Sequence, residues 1–323
     1  AEREAPMHIL SGVVAMNEEK VAGKGEDAAL CIAGEKAAVI ASMDGCGGSG
    51  AKRYPAAAGW TGAKIASSVC GNAIADWFET GGRPANGSGG MQAEALAAEM
   101  KTAIKKAIST IYERLGGAGP TIKGSMVSPL PTTMSAVLIE QGDSGKVRCT
   151  YFWAGGSRGY LLTTRGLREM TKDDVQTESD EEDFQADGLL TNVISARGDF
   201  NINVRETYVE APVLVLTATD GCYAYYKTPM EFEGALLRTL MEASGLSDWE
   251  ERLKTEIGRI ASDDYTMQIA IIGFQTFQDL QNAYRLRAEE YRLRFGAPAE
   301  QMLLQDDREG LMRLWREYKK FYR

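Results

Sequence analysis

Two short apolar runs, far apart in the chain, each stop at an Asp-Gly pair. Residues 37–43 read AAVIASM and end at Asp44-Gly45, and residues 213–218 read VLVLTA and lead through Thr219 into Asp220-Gly221. Runs this short, without polar alternation, read as buried strands followed by loops. Any fold that satisfies them needs a covered sheet with an aspartate just past the strand end. Two further acidic pairs sit at strand edges: Glu26-Asp27 before residues 28–33, and Asp263-Asp264 before residues 265–274. Strands of one sheet bring such ends together, however far apart they lie in sequence.

The other segments fit around these strands. Residues 56–78 are Ala-rich and read as a helix, residues 81–90 (GGRPANGSGG) as a flexible loop, and residues 91–115 as a second helix with Leu96, Met100, Ile104, Ile108 and Ile111 in helical spacing. A Gly/Pro/Ser-rich connection covers residues 116–131. Residues 133–139, 146–154 and 158–163 are strand-like, and residues 229–243 and 247–260 helical. Strand pairs with Gly turns beside long helices predict an α+β layered sandwich, not a parallel βαβ fold. From residue 278 the composition shifts to Leu, Arg, Glu, Gln and Tyr. Residues 278–295 and 299–322 read as two helices split by Gly296-Ala297-Pro298. The chain thus divides into a main domain, residues 1–276, and a C-terminal helical hairpin extension, residues 277–323.

Composition excludes several chemistries. The 323 residues contain one histidine, His8, and five scattered cysteines without a CxxC pair. Histidine-rich zinc sites cannot be built, and Ser-His-Asp or Cys-His catalysis would have only His8 to use. A metal site here is built mostly of oxygen ligands, which favour Mg, Mn or Ca. Net charge is −9, so no broadly basic nucleic-acid footprint exists. No apolar run approaches membrane-spanning length. The cysteine pattern indicates a reducing compartment, and the expected location is cytoplasmic.

Clustered carboxylates raise one another's pKa unless a cation sits among them. Glycine beside aspartate lets the backbone approach a ligand closely. Two metal ions held this way can orient and ionise a bridging water and stabilise phosphoryl charge. Asp-Gly alone is a common turn and an acidic pair alone is usually solvated, so the ordered set carries the argument.

That set resembles the PPM (type 2C) family of metal-dependent serine/threonine phosphatases. The matching stretches are Gly25-Glu26-Asp27, Met43-Asp44-Gly45-Cys46-Gly47-Gly48, Pro131-Thr132-Thr133-Met134, Gly155-Gly156-Ser157-Arg158-Gly159-Tyr160, Thr171-Lys172-Asp173-Asp174, Ala218-Thr219-Asp220-Gly221 and Asp263-Asp264-Tyr265-Thr266-Met267, in the family's order. The resemblance implies a central antiparallel β-sandwich flanked by helix pairs. It implies two Mn2+ or Mg2+ ions, with Asp44 bridging both. The Gly45 carbonyl would complete one site, and Glu26, Asp220 and Asp263 the other. Asp27 would hold metal-bound water. Asp263 falls at the family's aspartate, and Asp264 where asparagine is frequent. Thr132, Thr133 and Arg158 match structural positions.

Three departures stand out. Cys46 occupies the place where eukaryotic members often carry histidine, and a thiol suits a general acid less well. Gly156 replaces an aspartate of a third, weaker metal site, which is therefore expected to be absent or rebuilt. Lys24 replaces an arginine that binds phosphate, and could act as a point charge or as a solvated loop residue. Residues 177–184 (TESDEEDF) fall at the family's variable flap. The implied substrate is a phosphoprotein. The contrasting reading is a pseudophosphatase or regulatory binding module, motivated by Cys46 and Gly156. Leu303, Leu304, Leu311, Leu314, Trp315, Tyr318, Phe321 and Tyr322 give the C-terminal helices an apolar face for the domain or a protein partner.

Overall fold

The computed structural model describes residues 9–117, 129–142, 145–175 and 190–323. His8 and the acidic stretch 177–184 lie outside them. In chain order the strands are β1 (Gly12–Glu18), β2 (Ala28–Ala33), β3 (Ala37–Gly45), the two-residue β4 (Arg53–Tyr54) and β5 (Trp60–Thr61), β6 (Thr132–Gln141), β7 (Lys146–Ala154), β8 (Arg158–Thr163), β9 (Gly166–Glu169), β10 (Asn203–Glu210), β11 (Val213–Ala218) and β12 (Tyr265–Ile272). The helices are α1 (Gly47–Gly50), α2 (Gly62–Thr80), α3 (Arg83–Asn86), α4 (Ala93–Arg114), α5 (Glu231–Glu242), α6 (Leu246–Gly258), α7 (Phe277–Tyr291), α8 (Ala297–Leu304) and α9 (Arg308–Tyr322).

Two five-stranded antiparallel sheets form, β1-β12-β11-β8-β9 and β10-β7-β6-β3-β2. Side-chain alternation along β3 explains the layering. Ala37, Val39, Ala41 and Met43 face the helices α2 and α4, while Ala38 and Ile40 face the other sheet. Along β11, Val213 and Val215 point between the sheets, and Leu214, Leu216 and Ala218 point to the second helical layer. Both strands are covered on both faces, which is why their sequences lack polar alternation. The fold is the expected α+β sandwich with helices outside each sheet.

Register carries the acidic ends to one place. In β2–β3, Ala28 stands opposite Met43, so Glu26-Asp27 flanks Asp44-Gly45. In β11–β12, Ala218 stands opposite Met267, so the turn at Asp220 lies beside Asp263-Asp264. Between the sheets, Ser42 Oγ and Thr217 Oγ1 share a hydrogen bond of 2.9 Å, which ties together the two strand ends that carry Asp44 and Asp220.

Some boundaries differ from the sequence reading. The helix expected from residue 56 begins at Gly62, capped by Thr61, whose Oγ1 accepts from Lys64 N at 3.2 Å. Ala58 and Gly59 take positive φ there and turn β4 into β5. The segment expected to be a flexible loop contains α3, where buried Arg83 donates to Trp77 O and to Glu99. Gly296-Ala297-Pro298 does not split the C-terminal helices. A π-turn, Arg292–Gly296, joins α7 to α8, and Pro298 lies in the first turn of α8, where no amide donor is needed. The break falls later, at Asp306 (φ 55°), and Asp307 caps α9 through Gly310 N at 2.8 Å.

Candidate metal centre

The carboxylates gather where the starts of β2 and β12 meet the ends of β3 and β11. Thr132 Oγ1 donates to Asp44 O at 2.6 Å, which fixes the backbone where β3 ends. Thr219 Oγ1 donates to Asp27 Oδ2 at 2.9 Å, linking the two sheets. Thr61 Oγ1 donates to Glu26 Oε1. Asp264 clamps the preceding loop: its carboxylate accepts from Lys20 N at 2.8 Å and from Glu26 N at 2.7 Å. Asp263 is exposed, and its Oδ1 accepts from Asp264 N at 2.9 Å.

Close backbone approach accounts for two of the glycines. A Cβ on Gly221 would lie 1.9 Å from Asp264 O, so only glycine lets the Asp220 turn sit against the Asp263-Asp264 segment. A Cβ on Gly47 would lie 2.2 Å from Glu26 Oε2, which reserves that space for the carboxylate.

The electrostatics are those of an uncompensated anionic cluster. Burial holds the Asp44 carboxyl well above the usual carboxylate range, and Asp220, Asp27, Asp263 and Glu26 add to the rise. Asp27 is pushed up to about 8, first by burial, with the Thr219 hydrogen bond pulling the other way and Asp264 and Asp220 pushing further. Asp220 rises to about 6 through burial and then the charge of Asp263. Glu26 rises through burial against the Thr61 hydrogen bond.

A divalent cation would relieve this repulsion, and the donor set is all oxygen, which suits Mn or Mg. As the side chains stand, no three carboxylate, thiol or imidazole groups among the described residues converge on one ligating point. The group fits by charge and donor type, and closing a coordination shell requires side-chain rotation. A cavity of about 950 Å³ lies elsewhere, among α5, α7 and α8, with Leu237, Met241, Ala288 and Leu303 in its lining and none of the cluster's carboxylates.

The remaining singled-out residues fall at varied distances from the chemistry. Cys46 adjoins Asp44, and burial with the charges of Asp44 and Asp220 pushes its thiol far up. Lys24 is exposed in a turn, its amide bonded to Val21 O at 2.9 Å, and its ammonium makes no ion pair among the described residues. Gly156 O accepts from Tyr223 Oη. Among the described residues, a Cβ on Gly156 would meet only Leu190 Cδ2, at 3.6 Å. Thr133 Oγ1 bonds Ser157 Oγ at 2.7 Å, joining β6 to the turn before β8. Arg158 forks onto Asp173, with Nη2 2.7 Å from Oδ2. Sequence reasoning missed Thr61, Thr219 and Asp264 as supports of the carboxylates. Only Thr219, directly before Asp220, carried a local signal, since it adjoins the acidic turn.

No protein-family model and no curated protein matches the sequence. Solved structures do match it. The serine/threonine phosphatase Stp1 of Staphylococcus aureus is similar at TM-score 0.56 and 15% identity, covering 84% of this chain and 100% of that one. The PPM Ser-Thr phosphatase MsPP of Mycobacterium smegmatis is similar at TM-score 0.53 and 14% identity, covering 82% and 99%. The catalytic domain of the phosphatase PstP, in complex with two manganese ions, is similar at TM-score 0.52 and 18% identity, covering 83% and 100%. The fold is that of the PPM serine/threonine phosphatases. In this PPM fold, the acidic strand ends described above are the stretches that carry the sequence resemblance.

Proposed function

We propose that the chain is a metal-dependent phosphatase acting on phosphoserine and phosphothreonine in proteins. The observation that carries this reading is the convergence of Glu26, Asp27, Asp44 and Asp220 on one sandwich end, each carboxyl raised by burial and by neighbouring carboxylates. Bringing like charges together in partly buried positions is costly unless a cation is bound there. Asp44, the Gly45 carbonyl, Glu26, Asp220 and Asp263 would hold two Mn or Mg ions. When bound, such ions ionise water near neutral pH and neutralise phosphoryl charge.

The chain's own groups orient the reactants. Asp27, held by Thr219, would accept a hydrogen bond from an attacking water. Asp264 holds the Glu26 amide and Thr61 donates to its carboxylate, so both the backbone and the side chain of Glu26 are oriented toward the cluster. Lys24, exposed on the same loop, is free to meet a phosphate as a point charge. The five cysteines stand as free thiols, which supports a reducing, cytoplasmic setting. No helix among the described residues is long and apolar enough to cross a membrane.

The test is hydrolysis of an aryl phosphate and of a phosphothreonine peptide, with and without Mn, beside an Asp44→Ala control. Manganese-dependent turnover that vanishes in the control is expected. Calorimetric Mn binding without turnover would replace the enzyme reading with a phosphoprotein-binding one.

A further inference from the structure

Helix α9 reaches back to the edge of the carboxylate cluster by two routes. The first is ionic. Arg158, the first residue of β8, is 8% exposed, and its Nε and Nη2 fork onto Asp173 at 2.9 and 2.7 Å. Arg158 stands opposite Ala218 in the β8–β11 register, two residues before Asp220, and Tyr223 N donates to Asp220 O at 3.0 Å. On the other side of Arg158 stands Glu169, 3% exposed, with Oε1 3.5 Å from Arg158 Nε. Two carboxylates around one guanidinium leave a buried negative charge. Arg323, just past α9, meets it: its Nε donates to Glu169 Oε2 at 3.2 Å. The second route is aromatic. Tyr322 of α9 lies 6.4 Å from the Tyr160 ring, and Tyr160 lies 6.2 Å from Tyr223. Tyr223 carries the Arg158 guanidinium 4.1 Å over its face and donates its hydroxyl to Gly156 O. Both routes end at the turn before β8 and at Asp220.

We propose that Glu169 and Arg323 are positioning residues for the carboxylate centre. Their pairing fixes the Arg158 fork, and through it Asp173, Tyr223 and the Gly155-Gly156 turn beside Asp220. Without Arg323, Glu169 competes with Asp173 for Arg158, and the fork loses its single geometry. The inference rests on reading the Asp220 cluster as a catalytic metal centre.

The test uses the full chain with Arg323→Ala, Arg323→Lys, Glu169→Gln and the double variant Glu169→Gln/Arg323→Ala. Measured are Mn affinity by calorimetry, kcat and KM on an aryl phosphate, melting temperature, and hydrogen exchange of a peptide spanning residues 155–162. Arg323→Ala is expected to stay folded, to lose about tenfold in Mn affinity or kcat, as outer-shell partners do, and to exchange faster over 155–162. Arg323→Lys recovers most of the loss. In the double variant the losses do not add, because neutral Glu169 no longer pulls on Arg158. A folded Arg323→Ala with wild-type affinity, kcat and exchange overturns the proposal, as does full additivity. If the wild type neither binds Mn nor turns over, the functional reading falls, and faster exchange over 155–162 in Arg323→Ala still decides the positioning role.

Discussion

At the residue scale, the carboxylates make stability depend on pH in an unusual direction. The folded values of Asp27, about 8, and Asp220, about 6, lie above the ordinary aspartate value of 3.8. The folded state therefore holds protons that the unfolded chain releases, and the stability this confers is complete below about pH 4 and lost as pH rises through about 6 to 8. The metal-free protein is expected to melt at a higher temperature at pH 5 than at pH 8.5, and saturating Mn should remove or reverse the difference. Scanning calorimetry in chelator and in Mn checks both. Cys46 gives a second prediction. Its thiol is pushed up by burial and by Asp44 and Asp220, so it stays neutral and is neither nucleophile nor efficient acid. Cys46→Ser should cost far less than the ~100-fold typical of losing a general acid, and a larger loss in kcat would contradict this. The acidic residues themselves were legible in sequence because each follows or precedes an apolar run. Their supports, Thr61 and Asp264, were not. A hydroxyl or carboxylate that bonds a distant backbone leaves no local pattern, as when Asp264 accepts from Lys20 N and Glu26 N.

At the scale of elements, turns decide how closely the acidic ends approach. Gly221→Ala would set a Cβ 1.9 Å from Asp264 O, a backbone atom that cannot swing aside. The β11 and β12 ends must then separate. The expected cost is at least about 2 kcal/mol in urea unfolding, with Mn affinity falling alongside. A variant of wild-type stability would show that the turn is softer than its packing implies. Elements with a strong hydrophobic period were readable: Leu96, Met100, Ile104 and Ile108 of α4 are all fully buried. β10 was missed because it is an edge strand with alternate side chains exposed, including Tyr208, so its sequence carries little apolar signal. The start of α2 was placed too early because alanine favours helix wherever it occurs, whereas the left-handed turn at Ala58-Gly59 serves the pairing of β4 with β5.

At the scale of the molecule, the C-terminal helices share one core with the sheet β1-β12-β11-β8-β9. Tyr284, Trp315, Tyr318 and Tyr322 are buried against Tyr160, Leu162 and Phe232, and Tyr284 Oη donates to Leu162 O at 2.6 Å. Arg287 and Glu233, 6% and 0% exposed in their side chains, pair at 2.7 Å beneath α7, and Tyr318 Oη donates to the same carboxylate at 2.6 Å. Each large apolar side chain stripped of this cover forfeits about 1.5–3 kcal/mol, against a total stability on the order of 5–15 kcal/mol. Deleting residues 278–323 is therefore expected to unfold the chain, read as loss of the cooperative thermal transition. A truncated chain that melts cooperatively would mark the helices as a separable module. Leu304, counted in the apolar face from sequence, is 84% exposed instead. It lies just before the break at Asp306, so the helical stripe does not continue through it.

The sequence by itself determined the buried strands, the flanking helices and the acidic residues at the strand ends, because these follow from local hydrophobic pattern and turn chemistry. Only the tertiary structure decided that Glu26, Asp27, Asp44 and Asp220 share one place. Their convergence depends on strand register and on the two sheets meeting at Ser42 and Thr217. The same holds for the path from α9 to Asp220. Ion pairs such as Arg323 with Glu169 join residues 154 positions apart, and no local pattern encodes them.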